Sequence, residues 1–163
     1  MPTPRMSLDF CPIAMGLLAG LRTLSRKSIE IAYYPRHCPG SMRLLFVCVG
    51  NSCRSQMAEG LAKAMGHEAD SAGTSPASSI ATHAVTVLES RGISTDGMRP
   101  KSVDQFSAID YDYVISMGCG VHCPTMKIDE DWGLEDPVGG PLSLYYDTAE
   151  EIQRRLNVLT QNN

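Results

Sequence analysis

The feature that most constrains the fold is a continuous apolar run at residues 44–49, LLFVCV, followed by a turn of small residues. Such a run predicts a strand that is buried on both faces, as in a parallel sheet. Beyond the turn, Met57, Leu61 and Met65 recur at every fourth position, which predicts a helix. The segment is therefore expected to fold as a strand–turn–helix unit.

The alternation of strand and helix signals continues downstream. The further segments that carry such signals are residues 69–76, 80–92, 113–117 and 148–159. Gly92 is a candidate C-terminal cap of the second helix, and Thr148 with Glu151 forms a capping box that predicts the start of the last helix. This order predicts an α/β fold, a small open parallel sheet of about four strands flanked by helices. Ligands of such sheets bind at the carboxyl ends of the strands.

The first 41 residues differ in character from the rest of the chain of 163 residues. They hold five Arg or Lys and two Asp or Glu, a charge of +3, so residues 42–163 carry −7 of the total of −4. An apolar patch at residues 12–21 has the length of a signal-peptide core, but no clean cleavage signature follows it. A signal, a disordered arm and an extension are the alternatives. The expectation is an extension at 1–41, outside the fold, and one domain at 42–163.

Charge and cysteine content restrict the class of protein. A net charge of −4 gives no reason to expect nucleic acid or an anionic membrane as a partner. No run approaches the ~18–20 apolar residues of a membrane span, and nothing in the sequence demands a dimer. Six cysteines are too few for a disulfide-built miniprotein of this length. They comprise two close pairs, Cys48 with Cys53 and Cys119 with Cys123, and the outlying Cys11 and Cys38. Such pairs favour redox or metal chemistry in a reducing cytoplasm.

The turn after the first strand has the composition of an anion-binding loop. Its small or polar residues allow successive backbone N–H groups to face inward, and the N-terminus of the following helix adds partial positive charge. The candidate substrate-binding residues are Val49, Gly50, Asn51, Ser52, Cys53 and Ser55. Arg54 completes a Cys-x5-Arg spacing and can bind a tetrahedral oxyanion in bidentate fashion. The loop lacks the Gly-Lys-Ser/Thr ending of nucleotide-binding loops.

Cys48 is the candidate nucleophile of this loop. In that electropositive surrounding its thiol is expected to ionise below the free pKa of about 8.5. The Ser55 hydroxyl can donate to the thiolate, and Asn51 can hold the loop by bonding to its backbone. A thiolate seated among oxyanion-binding groups suits attack on phosphorus or arsenic. The alternative is an unreactive cysteine at the end of a buried strand.

The stretch 48-CVGNSCRSQMAEG-60 resembles the active-site loop of low-molecular-weight protein tyrosine phosphatases and, more narrowly, of the arsenate reductases built on that fold. Four shorter motifs share the resemblance: 71-SAGT-74, 100-PKS-102, 112-DYVIS-116 and 132-WGLEDP-137. It covers residues 42 to about 159. The resemblance implies that Asp136, which precedes Pro137, is the general acid that protonates the leaving oxygen.

Three features favour the reductases over the phosphatases. Ser55 is followed by Gln56, where such phosphatases usually have Pro. After Asp136-Pro137 come Val138-Gly139-Gly140, where such phosphatases carry aromatic residues that flank phosphotyrosine. The third feature is the second cysteine pair. Reducing arsenate to arsenite takes two electrons, which two thiols supply by forming a disulfide, whereas hydrolysis of a phosphoester needs no such pair.

The resemblance implies a relay in which Cys119 attacks the Cys48 adduct and Cys123 then takes over the disulfide. Thioredoxin, supplied indirectly by NADPH, is the expected reductant, and a glutaredoxin-type reductant is the alternative. Only three residues separate Cys119 from Cys123, fewer than in well-known thioredoxin-coupled members, which leaves the order of attack open. Phosphate and sulfate are expected to compete with arsenate.

Two alternatives and one accessory site remain from the sequence. The competing enzyme is a tyrosine phosphatase. The competing non-enzyme is a redox-sensing or metal-binding regulator, with Cys119, His122 and Cys123 as possible metal ligands. No bound cofactor is expected. Glu59 and Ser71, however, resemble positions that bind a monovalent cation in some relatives.

Overall fold

The computed structural model describes residues 40–118 and 126–161. It confirms the predicted fold class, since four parallel strands form one open sheet in the order β2-β1-β3-β4. The strands are β1 (Arg43–Cys48), β2 (Glu68–Gly73), β3 (Tyr113–Ser116) and β4 (Glu130–Asp131). The helices are α1 (Arg54–Ala64), α2 (Thr82–Ser90) and α3 (Leu142–Gln161).

Strand β1 is central, because it pairs with β2 on one side and with β3 on the other. Its residues alternate between two buried clusters. Leu44 and Phe46 face the larger one, and Leu45 and Val47 face the smaller one. Burial on both faces explains why the sequence of this strand is continuously apolar rather than alternating.

The three helices supply the larger cluster on one face of the sheet. The buried residues include Met57 and Leu61 of α1, Leu88 of α2, and Ile152 and Leu156 of α3. The predicted four-residue spacing in α1 is therefore the spacing of its core face. The opposite face is covered by the region of two short 3₁₀ turns, Val103–Gln105 and Ala108–Asp110.

The predicted start of the last helix is wrong. Helix α3 begins at Leu142, directly after Pro141, and Thr148 lies inside it with its hydroxyl donating to the Leu144 carbonyl at 2.7 Å. A proline is well tolerated at the start of a helix because its missing N–H would have no intrahelical acceptor there. Glu151 pairs instead with Arg154, so the capping-box residues form ordinary mid-helix contacts.

The carboxyl ends of β1 and β3 meet the segment at residues 132–137. Met117 accepts a backbone hydrogen bond from Leu134 N–H at 3.0 Å. Gly118 has φ +93°, and a Cβ at this position would collide with the backbone of Gly133. Glycine thus permits a backbone approach that brings the segment after β3 against the segment that carries Asp136. In the part of the chain described, no helix combines the length and the apolar character needed to cross a bilayer.

Candidate active site

The loop between β1 and α1 turns its carbonyl groups away from the site. The carbonyls of Cys48, Val49, Gly50 and Ser52 accept N–H groups of residues 74–81 at 2.8–3.1 Å. Because C=O and N–H point in opposite directions across a trans peptide bond, the N–H groups that follow these carbonyls face the other side. The segment at residues 74–81 therefore holds the loop in the conformation that an anion site requires.

The Cys48 sulfur lies on the side that these N–H groups face. It is buried, with 4% of the residue exposed, and the Asn51 N–H donates to Sγ at 3.1 Å. The Ser55 hydroxyl lies 2.9 Å from the same sulfur. Asn51 Nδ2 donates to the Ser55 oxygen at 2.9 Å, which leaves the Ser55 proton for the sulfur. Both contacts favour the thiolate over the thiol, since each can donate a hydrogen bond to the charged form.

Asn51 is held in a left-handed conformation, with φ +46°. Its Oδ1 accepts the backbone N–H of Lys101 at 2.7 Å and Nε2 of Gln56 at 3.1 Å. Gln56 Nε2 also donates to the Arg99 carbonyl at 2.9 Å. Gln56 stands where the phosphatases that the sequence resembles usually have proline, and it connects the anion loop to the segment at residues 99–101. The sequence alone used Gln56 only to distinguish reductases from phosphatases and did not predict these contacts.

Arg54 is the first residue of α1 and its side chain is only 6% exposed. Nη1 donates to the carbonyls of Leu134 at 2.7 Å and Met117 at 3.3 Å. Nη2 pairs with Asp136 Oδ2 at 2.9 Å. The guanidinium thus joins the anion loop to the end of β3 and to the segment that carries the candidate general acid.

Asp136 is the outermost of these groups, with 55% of its side chain exposed. Its Oδ1 accepts the Val138 N–H at 3.2 Å, and its Oδ2 contacts Arg54. The carboxylate is therefore oriented by its own turn and directed at the arginine of the anion loop. Val138 beside it is 57% exposed, and the two residues that follow, Gly139 and Gly140, have no side chains.

Cys53 is as buried as Cys48 but lies in a different electrostatic surrounding. It is 3% exposed, and burial, followed by the charge of Asp136, raises the pKa of its thiol to about 12. Buried Tyr145 of α3 lies next to it, and the Tyr145 ring packs edge-on against His83 at 5.1 Å between centroids. Cys53 therefore remains a neutral thiol, and its contribution to the loop is its backbone.

The predicted cation position is occupied by side chains of the protein. Glu59 Oε2 accepts from Ser71 Oγ at 2.5 Å, and Lys101 Nζ pairs with the same oxygen at 3.2 Å. Lys101 Nζ also lies 3.5 Å from Asp70 Oδ1. This donor set does not fit a metal cation, because an ammonium group already neutralises the carboxylates.

The structure thus brings together Cys48, Arg54 and Asp136 with the predicted substrate-binding loop. Cys119, Cys123 and the metal alternative with His122 lie outside the described residues. Within residues 40–118 and 126–161, no group of three or more His, Cys, Asp or Glu is placed to bind a metal. Sequence reasoning assigned no role to the segment at residues 74–81 or to Lys101 within 100-PKS-102, because their hydrogen bonds to the loop join positions far apart in the chain.

Comparison with known proteins agrees with this geometry. Residues 43–162 match the family model of low molecular weight phosphotyrosine protein phosphatases. A glutaredoxin arsenate reductase from Synechocystis sp. is 40% identical over 124 residues, which cover 72% of this chain and 95% of the relative. The structure of an arsenate reductase in a phosphate-binding state superposes with a TM-score of 0.68 at 38% identity, covering 74% of this chain and 98% of that one.

A phosphatase is similar to a comparable degree. The low molecular weight protein tyrosine phosphatase from T. tengcongensis superposes with a TM-score of 0.62 at 33% identity, covering 76% of this chain and 100% of that one. Loop geometry, fold and similarity over nearly the whole length of these relatives all agree. The chain belongs to the low molecular weight phosphotyrosine protein phosphatase family.

Proposed function

We propose that this protein reduces arsenate to arsenite, with Cys48 as the nucleophile and electrons supplied by an intramolecular thiol relay. The observation that carries the proposal is the 40% identity, over nearly the full length of the relative, to a glutaredoxin arsenate reductase. The arrangement of Cys48, Arg54 and Asp136 fits the first chemical step, which requires a thiolate, an oxyanion-binding group and an acid.

In that step the Cys48 thiolate attacks arsenic(V) and forms a sulfur–arsenic bond. One arsenic–oxygen bond breaks, and the oxygen leaves as water after Asp136 protonates it. The loop N–H groups and the Arg54 guanidinium bind the remaining oxygens. On arrival of the anion, Arg54 exchanges part of its contact with Asp136, now 2.9 Å away, for contact with the substrate. Phosphate and sulfate are tetrahedral and compete for the same groups.

The second step is proposed to use the cysteine pair after β3. The Cys119 thiolate attacks the Cys48 sulfur, and the sulfur–arsenic bond pair stays on arsenic, which leaves as arsenite. Cys123 then attacks Cys119, so that the disulfide moves to Cys119–Cys123 and the Cys48 thiolate is restored. The backbone that leads to this pair is anchored at the site, because the Met117 carbonyl accepts from Arg54. No bound cofactor is needed, since the external reductant returns the two electrons.

The reductant is proposed to be of the glutaredoxin type. The third cysteine predicted thioredoxin, whereas the Synechocystis relative carries glutaredoxin in its name. Identity over most of the chain is more specific than a count of thiols, and it therefore favours a glutaredoxin-type reductant. A reductant of either type places the protein in the cytoplasm, where such thiols stay reduced. It is proposed to act as a monomer.

A tyrosine phosphatase is the second candidate, favoured by the similarity to the T. tengcongensis enzyme. The residues beside Asp136 argue against it. Val138 is exposed, Gly139 and Gly140 carry no side chain, and Tyr145 is buried beside Cys53 rather than open to a ligand. A phosphotyrosine ring would find no aromatic partner in this segment.

The test is a direct comparison of three reactions by the full chain. We expect arsenate-dependent NADPH oxidation with glutaredoxin, glutathione and glutathione reductase, slower oxidation with thioredoxin and its reductase, and slow hydrolysis of p-nitrophenyl phosphate. Asp136→Asn is expected to lower the reductase rate by about 10²-fold or more, whereas the matched variant Glu135→Gln, also exposed, retains it. Rapid phosphoester hydrolysis without arsenate-dependent oxidation would establish the phosphatase, and inactivity in all three assays would favour a regulator.

A further inference from the structure

A cluster of charges centred on one buried carboxylate lies behind the anion loop. Glu59 of α1 has only 4% of its side chain exposed, and its two oxygens meet two ammonium groups. Lys63 Nζ lies 2.6 Å from Oε1 and is half exposed, whereas Lys101 Nζ lies 3.2 Å from Oε2 and is 18% exposed. A carboxylate this far from water requires a compensating charge inside the protein.

Lys101 contacts other groups in addition to Glu59. Its ammonium also lies 3.5 Å from Asp70 and 5.5 Å from the centre of the Phe106 ring. Tyr111 donates to the other oxygen of Asp70 at 2.9 Å, and Ser71 donates to Glu59. Lys101 therefore sits where two carboxylates converge, in the position that a bound cation would need to neutralise both.

The backbone of the same residue holds the anion loop. The Lys101 N–H donates to Asn51 Oδ1 at 2.7 Å, and its carbonyl accepts from Gly73 N–H at 2.8 Å. Asn51 keeps its left-handed conformation with this support and donates its own N–H to the Cys48 sulfur. One residue thus connects the charge cluster to the nucleophile, with its side chain at one end and its backbone at the other.

We propose that Lys101 is a positioning residue whose ammonium acts as a built-in cation. It neutralises Glu59 and Asp70, fixes the segment at residues 99–101, and through Asn51 keeps the Cys48 loop in its anion-binding form. The protein therefore needs no free monovalent cation for stability or thiol reactivity. The inference deepens the proposed function at the same site, but its readouts require no arsenate, so the two can fail separately.

The experiment compares three chloride salts, KCl, NaCl and choline chloride, at one ionic strength, with the full chain. The readouts are the thermal unfolding midpoint and the rate at which iodoacetamide alkylates Cys48 at pH 7, mapped by peptide mass spectrometry. The wild type is expected to give the same values in all three salts. Lys101→Ala is expected to unfold at lower temperature and to alkylate about ten-fold more slowly in choline, as a less ionised thiol would, with recovery in KCl or NaCl.

Two further variants separate charge from volume. Lys101→Met fills the space without charge, so it is expected to show the same losses with no recovery in any salt. Lys63→Ala removes the exposed lysine of the same carboxylate, and its two readouts are expected to be independent of which salt is used. A wild-type midpoint higher in KCl than in choline would overturn the proposal even if Lys101→Ala does not fold. So would a Lys101→Met variant that alkylates at the wild-type rate.

Discussion

At the scale of single residues, the surroundings of the two loop cysteines determine which of them is ionised. The Cys48 sulfur receives the Asn51 N–H and contacts Ser55, whereas Cys53 is enclosed and its thiol has a pKa of about 12. Both sulfurs are buried, but for Cys53 the cost of burying a charge and the nearby carboxylate of Asp136 outweigh the Arg54 charge and the Tyr145 hydroxyl, so the thiol is the stable form. Two cysteines separated by only four residues therefore differ, one as the candidate nucleophile and the other as a neutral thiol.

Removal of the Ser55 hydroxyl tests this assignment. A hydrogen bond to a charged group contributes about 1.5–3 kcal/mol, so Ser55→Ala is expected to raise the pH midpoint of Cys48 alkylation by about 1–2 pH units. The measurement is the iodoacetamide rate as a function of pH, with the label located by peptide mapping. Cys53 is expected to stay unlabelled up to pH 9, because its raised pKa keeps it protonated.

Ser90→Ala provides the control for this prediction. The Ser90 hydroxyl donates to the Val87 carbonyl at 2.8 Å within the α2 region and has no part in the loop. Its alkylation profile should match that of the wild type. An unchanged midpoint in Ser55→Ala would show that this hydroxyl does not stabilise the thiolate, and labelling of Cys53 below pH 9 would contradict its assignment as inert.

At the scale of secondary-structure elements, the site depends on one close approach between backbones. Gly118, which ends the described segment after β3, lies against Gly133 in the segment that carries Asp136. The Arg54 guanidinium bridges the same two segments through the carbonyls of Met117 and Leu134. Displacement of either segment would therefore move the arginine and the acid together.

Gly118→Ala is expected to break this approach. The positive φ alone costs about 1–2 kcal/mol for a residue with a Cβ, and collision with the Gly133 backbone adds about 1–3 kcal/mol. Gly97→Ala is the matched control, because Gly97 has a φ of +75° with nothing within 4 Å of an added Cβ. Urea unfolding should show a clearly larger loss for Gly118→Ala. Equal losses of unfolding free energy in the two variants would mean that the Gly118 and Gly133 backbones can move apart without cost.

The elements also show which features of the fold were predictable. Strand β1 was visible in the sequence as a continuous apolar run, and helix α1 because Met57, Leu61 and Met65 recur at every fourth position. Strand β4 was not, since its two residues, Glu130–Asp131, are both exposed and leave no apolar signal. The start of α3 was misplaced because a capping-box motif is local, whereas its true start follows from Pro141 and from packing of the helix against α1 and α2.

The candidate site was predictable to the same extent. The candidate nucleophile, the arginine and the loop could be proposed from the sequence because they are adjacent and carry a specific spacing. Asp136 was found only through the family resemblance, since no local rule places it 2.9 Å from Arg54. The contacts of Lys101 with Asn51, Glu59 and Asp70 join positions far apart in the chain, and one sequence carries no signal for such pairings.

At the scale of the whole molecule, the family match and the described sheet occupy the same part of the chain. The match covers residues 43–162, and β1 begins at Arg43. The prediction that residues 1–41 lie outside the working domain follows from their different charge and from this coincidence. A chain that begins at Gly40 is expected to unfold at the same temperature as the full chain. Its reductase rate is expected to stay within about two-fold of the full-chain rate, a difference in activation free energy of less than 1 kcal/mol. A larger loss in either measurement would assign the extension a role.

The electrons that reduce arsenate are proposed to reach it through the thiols of Cys48, Cys119 and Cys123, and one variant tests this relay most directly. Cys123→Ser retains Cys48 and Cys119, so it can reduce one arsenate and then stops with a Cys48–Cys119 disulfide. We expect about one equivalent of arsenite per protein in the presence of the glutaredoxin system, measured by arsenic speciation, against continuous production by the wild type. Wild-type turnover by Cys123→Ser would contradict the relay, as would the absence of even the first equivalent.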